Sequence, residues 1–381
     1  MQPNWRVVYF GTPTVAVAPL QALCRAGHDV ALVVTRPAKR RGRRQIPTPS
    51  PVAAAAADLG LAVTSDLSDG LGVEADLGVV VAYGEHIPDE VLQRRRTVNL
   101  HFSLLPRWRG AAPVERAILA GDTETGVCLM DVASEIDAGA VYRRRSTAIR
   151  PDESADELRA RLCEMGIGLL LDALREGFGD PVPQSGEMTW AAKIGASELR
   201  VDWSAPAEHV LRLVRVGGAW TTYRNRRLKI LQARLAPGTG PPNTTGTGPP
   251  DAACVDRPDA ACVGQPDAAG TDQSDAAGMG QPDATGTGPP DAAGTGQTDA
   301  AGVGQLDAAG TGRPDAADAG EPDAAGTVSL MPRSGQGPSV NVAAGSGAVE
   351  LVTVQSEGRA AVPAREWVNG ARITGGERLG E

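Results

Sequence analysis

The sequence predicts an open α/β domain with a mostly parallel sheet, followed by a small β-barrel that a low-complexity insertion interrupts. Three observations lead there. Short Val-rich runs alternate with helical stretches from Trp5 to about Leu105. Short strand-like segments dominate residues 200–233 and 342–379. Between those two stretches lies a direct repeat with almost no large apolar residues.

Trp5–Phe10, His28–Thr35 and Asp76–Tyr83 read as buried strands, apolar in the middle and bounded by turn residues. A helix is expected between the first two, capped by Thr12 with Pro13 in its first position and running to about Ala26. The alanine-rich Pro51–Leu59 and the segment Pro88–Arg95 read as further helices. This succession implies a parallel sheet joined by right-handed crossovers. Thr97–Phe102 is the next strand, and its end is where chemistry is expected, because such sheets bind ligands beyond their carboxyl ends. Thr125–Val132 and Ala140–Ala148 follow as strands around the turn Ser134–Gly139. Asp152–Gly177 reads as a long amphipathic helix. The second region holds a helix, Pro206–Val216, and strands such as Arg227–Leu231 and Gly347–Gln355. The expected division is a first domain over 1–177, a linker over 178–199, and a small barrel from 200–236 and 330–381. The insertion occupies 237–329.

Composition narrows the function. Hydrophobic residues make up 41% and aromatics only 3%, so Ala, Val and Leu must fill the cores. No apolar run approaches the roughly 20 residues of a membrane span, and the first residues lack the pattern of a secretory leader. The five cysteines are scattered, with no C-x-x-C pair and no histidine at ligand spacing, which argues against a zinc site and a disulfide framework. A cytoplasmic protein without metal or membrane partner is expected, acting as a monomer. The net charge of −9 is unevenly spread: residues 237–329 carry fourteen acids and two arginines, so the remainder is mildly basic. A nucleic-acid partner is therefore compatible with the acidic total. The repeat itself runs in octads of the form P-D-A-A-G-x-G-x and cannot repay its conformational entropy by burial, so a disordered segment is expected.

The most informative stretch is Val98–Gly110. Side chains alternate along a strand, so Asn99 and His101 share one face while Leu100 faces the other. Two polar groups on one face of a buried strand are either satisfied by each other or at work. Spacing alone leaves both readings open. Asp137, before the small-residue turn Ala138-Gly139, either holds an imidazole as its acidic partner or simply begins a turn.

The residues Asn99-x-His101, Ser103-Leu104-Leu105-Pro106-x-x-Arg109-Gly110 and Ile136-Asp137-Ala138-Gly139 resemble the signature of enzymes that use 10-formyltetrahydrofolate as formyl donor. Val8–Pro13, Arg109–Pro113, Arg227–Ile230, Val368–Gly370 and Gly376–Gly380 narrow the resemblance to the methionyl-tRNA formyltransferase family. The resemblance covers nearly the whole chain except the repeat. It implies a Rossmann-like first domain and an OB-type barrel. It implies 10-formyltetrahydrofolate as co-substrate, initiator methionyl-tRNA as partner, and Asn99, His101 and Asp137 as catalytic residues. On that reading Asn99 stabilises an oxyanion, His101 donates to the same oxygen or to the leaving nitrogen, and Asp137 orients the imidazole or relays a proton. Ser103, Leu104, Leu105 and Pro106 would line the folate pocket. Arg109 would orient their loop or form a structural ion pair.

The acceptor needs its own argument. Arg36-Pro37-Ala38-Lys39-Arg40-Arg41-Gly42-Arg43-Arg44 carries six positive charges and no acid, directly after the second strand. Such a run is a solvated loop or a polyanion patch, and here it lies beyond the sheet's carboxyl edge, on the side of Asn99 and His101. The resemblance makes Arg36, Lys39, Arg40, Arg41, Arg43 and Arg44 a tRNA-binding loop. Two other functions remain beside this one: a different formyl-folate transferase or hydrolase, and a nucleic-acid-binding protein with a vestigial catalytic site.

Overall fold

The computed structural model describes residues 4–41, 46–237, 324–332 and 338–381. In chain order the first part contains β1 (Arg6–Gly11), α1 (Val17–Arg25), β2 (Asp29–Val34), β3 (Lys39–Arg41), β4 (Ile46–Thr48), α2 (Pro51–Asp58), β5 (Val63–Thr64), α3 (Asp69–Gly72), β6 (Leu77–Val81), α4 (Asp89–Leu92) and β7 (Arg96–His101). Then come β8 (Arg109–Gly110), α5 (Pro113–Ala120), β9 (Glu124–Asp131), β10 (Val141–Ala148), α6 (Ala155–Glu176) and β11 (Trp190–Ala191). A seven-stranded sheet runs in the order β10-β9-β7-β6-β1-β2-β5. Its five strands from β7 to β5 pair in parallel, and β9 and β10 join antiparallel.

Burial on both faces explains the continuous apolar runs. In β1, Val7 and Tyr9 pack into one core with α1 and α6, while Val8 and Phe10 pack into another with Leu32, Val80 and Val91. The chain proceeds from β1 outward through β2 to β5, then returns to β6 on the other side of β1. That reversal opens a crevice at the carboxyl ends of β1 and β6.

The second part contains α7 (Ala207–Val216), β12 (Trp220–Tyr223), β13 (Arg226–Leu235), β14 (Val328–Met331), β15 (Ser339–Ala343), β16 (Ala348–Ser356), β17 (Val362–Pro363) and α8 (Ala364–Ala371). Its six strands form an antiparallel sheet in the order β12-β13-β16-β15-β14, with β17 on β16. A separate core of Val201, Trp203, Val210, Ile230, Val349 and Trp367 holds it. Partly buried Leu119 of α5 packs against that core, and Arg215 of α7 donates to the carbonyls of Glu153 and Arg150 at 2.9 and 3.0 Å.

Three expectations need correction. Thr12 caps no helix: its hydroxyl donates to the Tyr83 carbonyl at 2.8 Å, a single 3₁₀ turn covers Thr14–Ala16, and α1 begins only at Val17. The helix expected over Pro88–Arg95 shrinks to one turn, Asp89–Leu92, and the Arg95 guanidinium beyond it donates to the carbonyls of Gly70 and Val73. The insertion expected over 237–329 runs at least six residues too far, because Gly326 and Thr327 already bond to the Ala343 backbone and buried Val328 pairs with Val342 inside the sheet. Its stretch 238–323 lies outside the described residues. Among the described residues, no helix is long and apolar enough to cross a membrane.

Candidate active site

β7 presents Asn99 and buried His101 to a cavity of about 1200 Å³, while the Leu100 side chain packs into the core behind. The turn after β9 brings Asp137 to the same wall. Asp137 has φ 50°, a left-handed conformation that Asp tolerates better than most residues. A Cβ on Gly139 would sit 1.9 Å from the Asp131 carbonyl oxygen, so only glycine lets this turn close onto the end of β9.

The three groups converge on the Asp137 carboxylate. Asn99 Nδ2 donates to Oδ1 at 3.3 Å, the Gly110 amide donates to Oδ2 at 2.9 Å, and His101 Nδ1 lies 3.5 Å from Oδ2. Gly110 takes φ 119° against the Ala191 backbone, where a Cβ would meet the Ala191 carbonyl oxygen at 2.9 Å. His101 Nε2 lies 2.8 Å from the Trp108 carbonyl oxygen. A carbonyl only accepts, so Nε2 carries the proton of this contact. Both ring nitrogens therefore face protein groups. This differs from the expectation that His101 donates to a reacting oxygen. Asn99, whose amide has two hydrogens, keeps one free of Asp137.

The remaining expected residues are placed differently. Arg109 forms the ion pair, one of its two suggested roles: Nη1 pairs with Glu135 at 3.2 Å, and Nε and Nη2 donate to Gln184 Oε1 at 3.0 and 2.8 Å. Gln184 Nε2 in turn donates to the carbonyls of Asp137 and Gly139, both at 2.8 Å. Ser103, Leu104, Leu105 and Pro106 do not line the cavity. The Ser103 hydroxyl donates to the Arg107 carbonyl at 2.6 Å, and Leu105 packs with Cys128 and Met130. These four residues shape the loop behind the site.

At the cavity rim, Arg36 Nε pairs with Glu85 Oε1 at 2.8 Å. Lys39 and Arg40 lie exposed on the hairpin of β3 and β4. The side chain of Arg41 and all of Arg43 and Arg44 lie outside the described residues.

Sequence reasoning missed two groups. Residues Ala82–Ile87 line the cavity beyond β6, and the rule that ligands sit at the sheet's reversal would have found them. Burial, then the neighbouring Glu85 carboxylate, pushes the Tyr83 phenol up to about 12. Gln184 and Thr189, in a segment read only as a linker, hold the two catalytic loops through contacts that no local pattern announces.

Comparison with known proteins gives the family. Residues 5–174 match the formyl transferase family, and residues 193–255 match the formyl transferase C-terminal domain. The methionyl-tRNA formyltransferase of Roseobacter denitrificans is 44% identical over 255 residues, covering 63% of this chain and 84% of that protein. That of Dinoroseobacter shibae is 46% identical over 252 residues, covering 62% and 84%. HypX from Aquifex aeolicus, solved in complex with tetrahydrofolic acid, shares the fold at 14% identity. Its TM-score is 0.52, with 98% of this chain and 48% of that chain covered. With two family models matched in order and relatives at these identities along most of their length, the chain belongs to the methionyl-tRNA formyltransferase family.

Proposed function

We propose that this chain transfers the formyl group of 10-formyltetrahydrofolate to the α-amino group of methionine carried by initiator tRNA. The observation that carries the reading is the convergence of Asn99, His101 and Gly110 on the Asp137 carboxylate, in the wall of a cavity that Arg36 also lines. The relatives' names supply the acceptor.

The residues present fit a folate. Val80, Ile87, Phe102 and Val132 make an apolar wall for a flat ring, and the Tyr83–Glu85 loop supplies polar groups along it. The cavity exceeds the roughly 300–1,000 Å³ typical of a single small ligand, leaving room for an aminoacyl end beside the donor. Ser103–Pro106 support this wall from behind. When bound, the folate supplies a formyl group on a nitrogen that leaves carrying a proton.

Asn99 directs its free N–H at the formyl oxygen as negative charge gathers there; one such donor contributes roughly 10²–10³ in rate. Asp137 takes the proton that the attacking amine loses, directly or through water, and delivers it toward the departing nitrogen. One C–N bond forms, one breaks and one proton moves. His101 holds the carboxylate in register from behind, while the apolar wall limits water that would hydrolyse the formyl group.

Arg36, Lys39, Arg40, Arg41, Arg43 and Arg44 engage the phosphates of the acceptor arm on this reading. Residues 1–177 form the catalytic domain, 178–199 the linker, and 200–236 with 324–381 an OB-type barrel that contacts the tRNA body. An enzyme with this acceptor works in the cytoplasm. The test offers 10-formyltetrahydrofolate to the protein with charged initiator tRNA and, separately, with water alone. Formyl-methionyl-tRNA is the expected product. Formate release that is indifferent to tRNA would make the chain a hydrolase instead, and no turnover in either arm would defeat the reading.

A further inference from the structure

Trp108 is held in a conformation a bulky residue avoids, with φ 63°. Such a residue stays there only when its surroundings hold it. Its indole Nε1 donates to Asp122 Oδ2 at 2.7 Å, and its amide donates to Thr189 Oγ1 at 2.9 Å. Arg107 stacks over its ring at 4.6 Å and grips the same Asp122 with Nε at 2.9 Å and Nη2 at 2.5 Å. Asp122 follows α5, and its amide donates to the Ala117 carbonyl at 3.0 Å. The outcome of these contacts is a single carbonyl, that of Trp108, aimed at His101 Nε2 from 2.8 Å.

We propose that Asp122 is a positioning residue for formyl transfer, fixing Trp108 so that its backbone carbonyl holds the His101 ring against Asp137. The inference rests on the function proposed above. Without the Asp122 anchor, Trp108 relaxes toward an ordinary backbone conformation and its carbonyl turns away from Nε2. The His101 ring then loses the carbonyl that fixes its orientation, and Nδ1 no longer sits at a fixed distance from Asp137 Oδ2. Small displacements of this kind are costly, a misplacement of about 1 Å lowering a rate by around 10²-fold.

The experiment compares the wild-type chain with Asp122→Ala, Asp122→Asn and Trp108→Phe, measuring steady-state formyl transfer and the imidazole nitrogen NMR signals. The chain has four histidines, so the His101 ring signals can be assigned. Asp122→Ala and Trp108→Phe are expected to lower kcat by about tenfold or more, leave the KM for 10-formyltetrahydrofolate within about twofold, and shift the His101 Nε2 signal. Asp122→Asn, which keeps an acceptor for the indole and loses the Arg107 pair, is expected to retain most of kcat. Equal losses in Asn and Ala would overturn the route through Trp108. So would a lowered kcat with unmoved His101 signals. If Asp122→Ala fails to fold, Trp108→Phe decides, because it leaves the Asp122–Arg107 pair in place. A wild-type chain inactive with tRNA would defeat the proposed function, while the His101 signals would still judge the positioning role.

Discussion

The Gly110 amide donates to Asp137 Oδ2 at 2.9 Å and so ties the loop that follows β7 to the turn that follows β9. Two loops far apart in sequence share one carboxylate, and that contact fixes the spacing between them. A carboxylate that accepts from a backbone amide and from the Asn99 amide, with the His101 ring packed beside it, has little freedom to rotate.

Asp137→Asn should therefore fold normally and lose activity. General acid–base groups contribute typically 10²–10⁴-fold, and kcat for formyl transfer should fall by roughly that much. Circular dichroism and thermal melting check folding, and a kcat within a factor of two of wild type would remove Asp137 from the chemistry.

Charge on the β3–β4 hairpin should act on tRNA and leave the folate alone. With Lys39 and Arg40 both exposed, Lys39→Ala/Arg40→Ala should raise the KM for tRNA. It should also reduce the slope of log affinity against log salt by about 1 for each phosphate that a basic side chain no longer neutralises. An unchanged salt slope would identify the hairpin as ordinary solvated surface.

Glu153 should make the protein acid-sensitive. The Arg161 guanidinium, bonded to it at 2.8 and 2.7 Å, holds the buried Glu153 carboxyl below its usual value of 4.5. A depressed carboxyl contributes stability that is fully present above about 4.5 and is lost as pH falls through the lowered value. Glu153→Gln should cost about 2 kcal/mol at neutral pH, as for hydrogen bonds to charged groups. Its stability should also fall less steeply between neutral and acid pH than that of the wild type. Denaturant titrations at several pH values measure both, and parallel pH curves for the two proteins would remove Glu153 as a titrating anchor.

Replacing residues 244–321 by a short Gly/Ser linker should leave kcat and both KM values within about twofold. The motive is composition: the octads offer almost no apolar surface to a core. A large rise in the KM for tRNA alone would show that the repeat takes part in tRNA binding.

How legible these features were in the sequence follows from where the information lies. Strands such as β1 and β6 are buried on both faces, so their unbroken apolar runs announce them. Strand alternation puts Asn99 and His101 on one face but leaves their role open, as the small-residue turn does for Asp137; only the family resemblance singles the three out. The sequence does not announce that both His101 nitrogens are occupied, because one partner is a backbone carbonyl on a left-handed tryptophan. Gln184 bridges to Asp137 across 47 positions, a distance over which no periodicity carries a signal. Thr12 illustrates the opposite error: a good capping residue by type, it bonds to the Tyr83 carbonyl across the crevice instead. Ser103–Pro106 matched a motif whose side chains turn out to support the loop from within.

The most direct test measures a single turnover with enzyme in excess, saturating 10-formyltetrahydrofolate and charged initiator tRNA, for wild type and Asn99→Ala. The transfer rate is predicted to fall by roughly 10²–10³ while donor and tRNA affinities stay near wild type, since the missing N–H serves only the developing negative charge. A rate for Asn99→Ala equal to that of wild type would contradict the oxyanion role and the mechanism built on it.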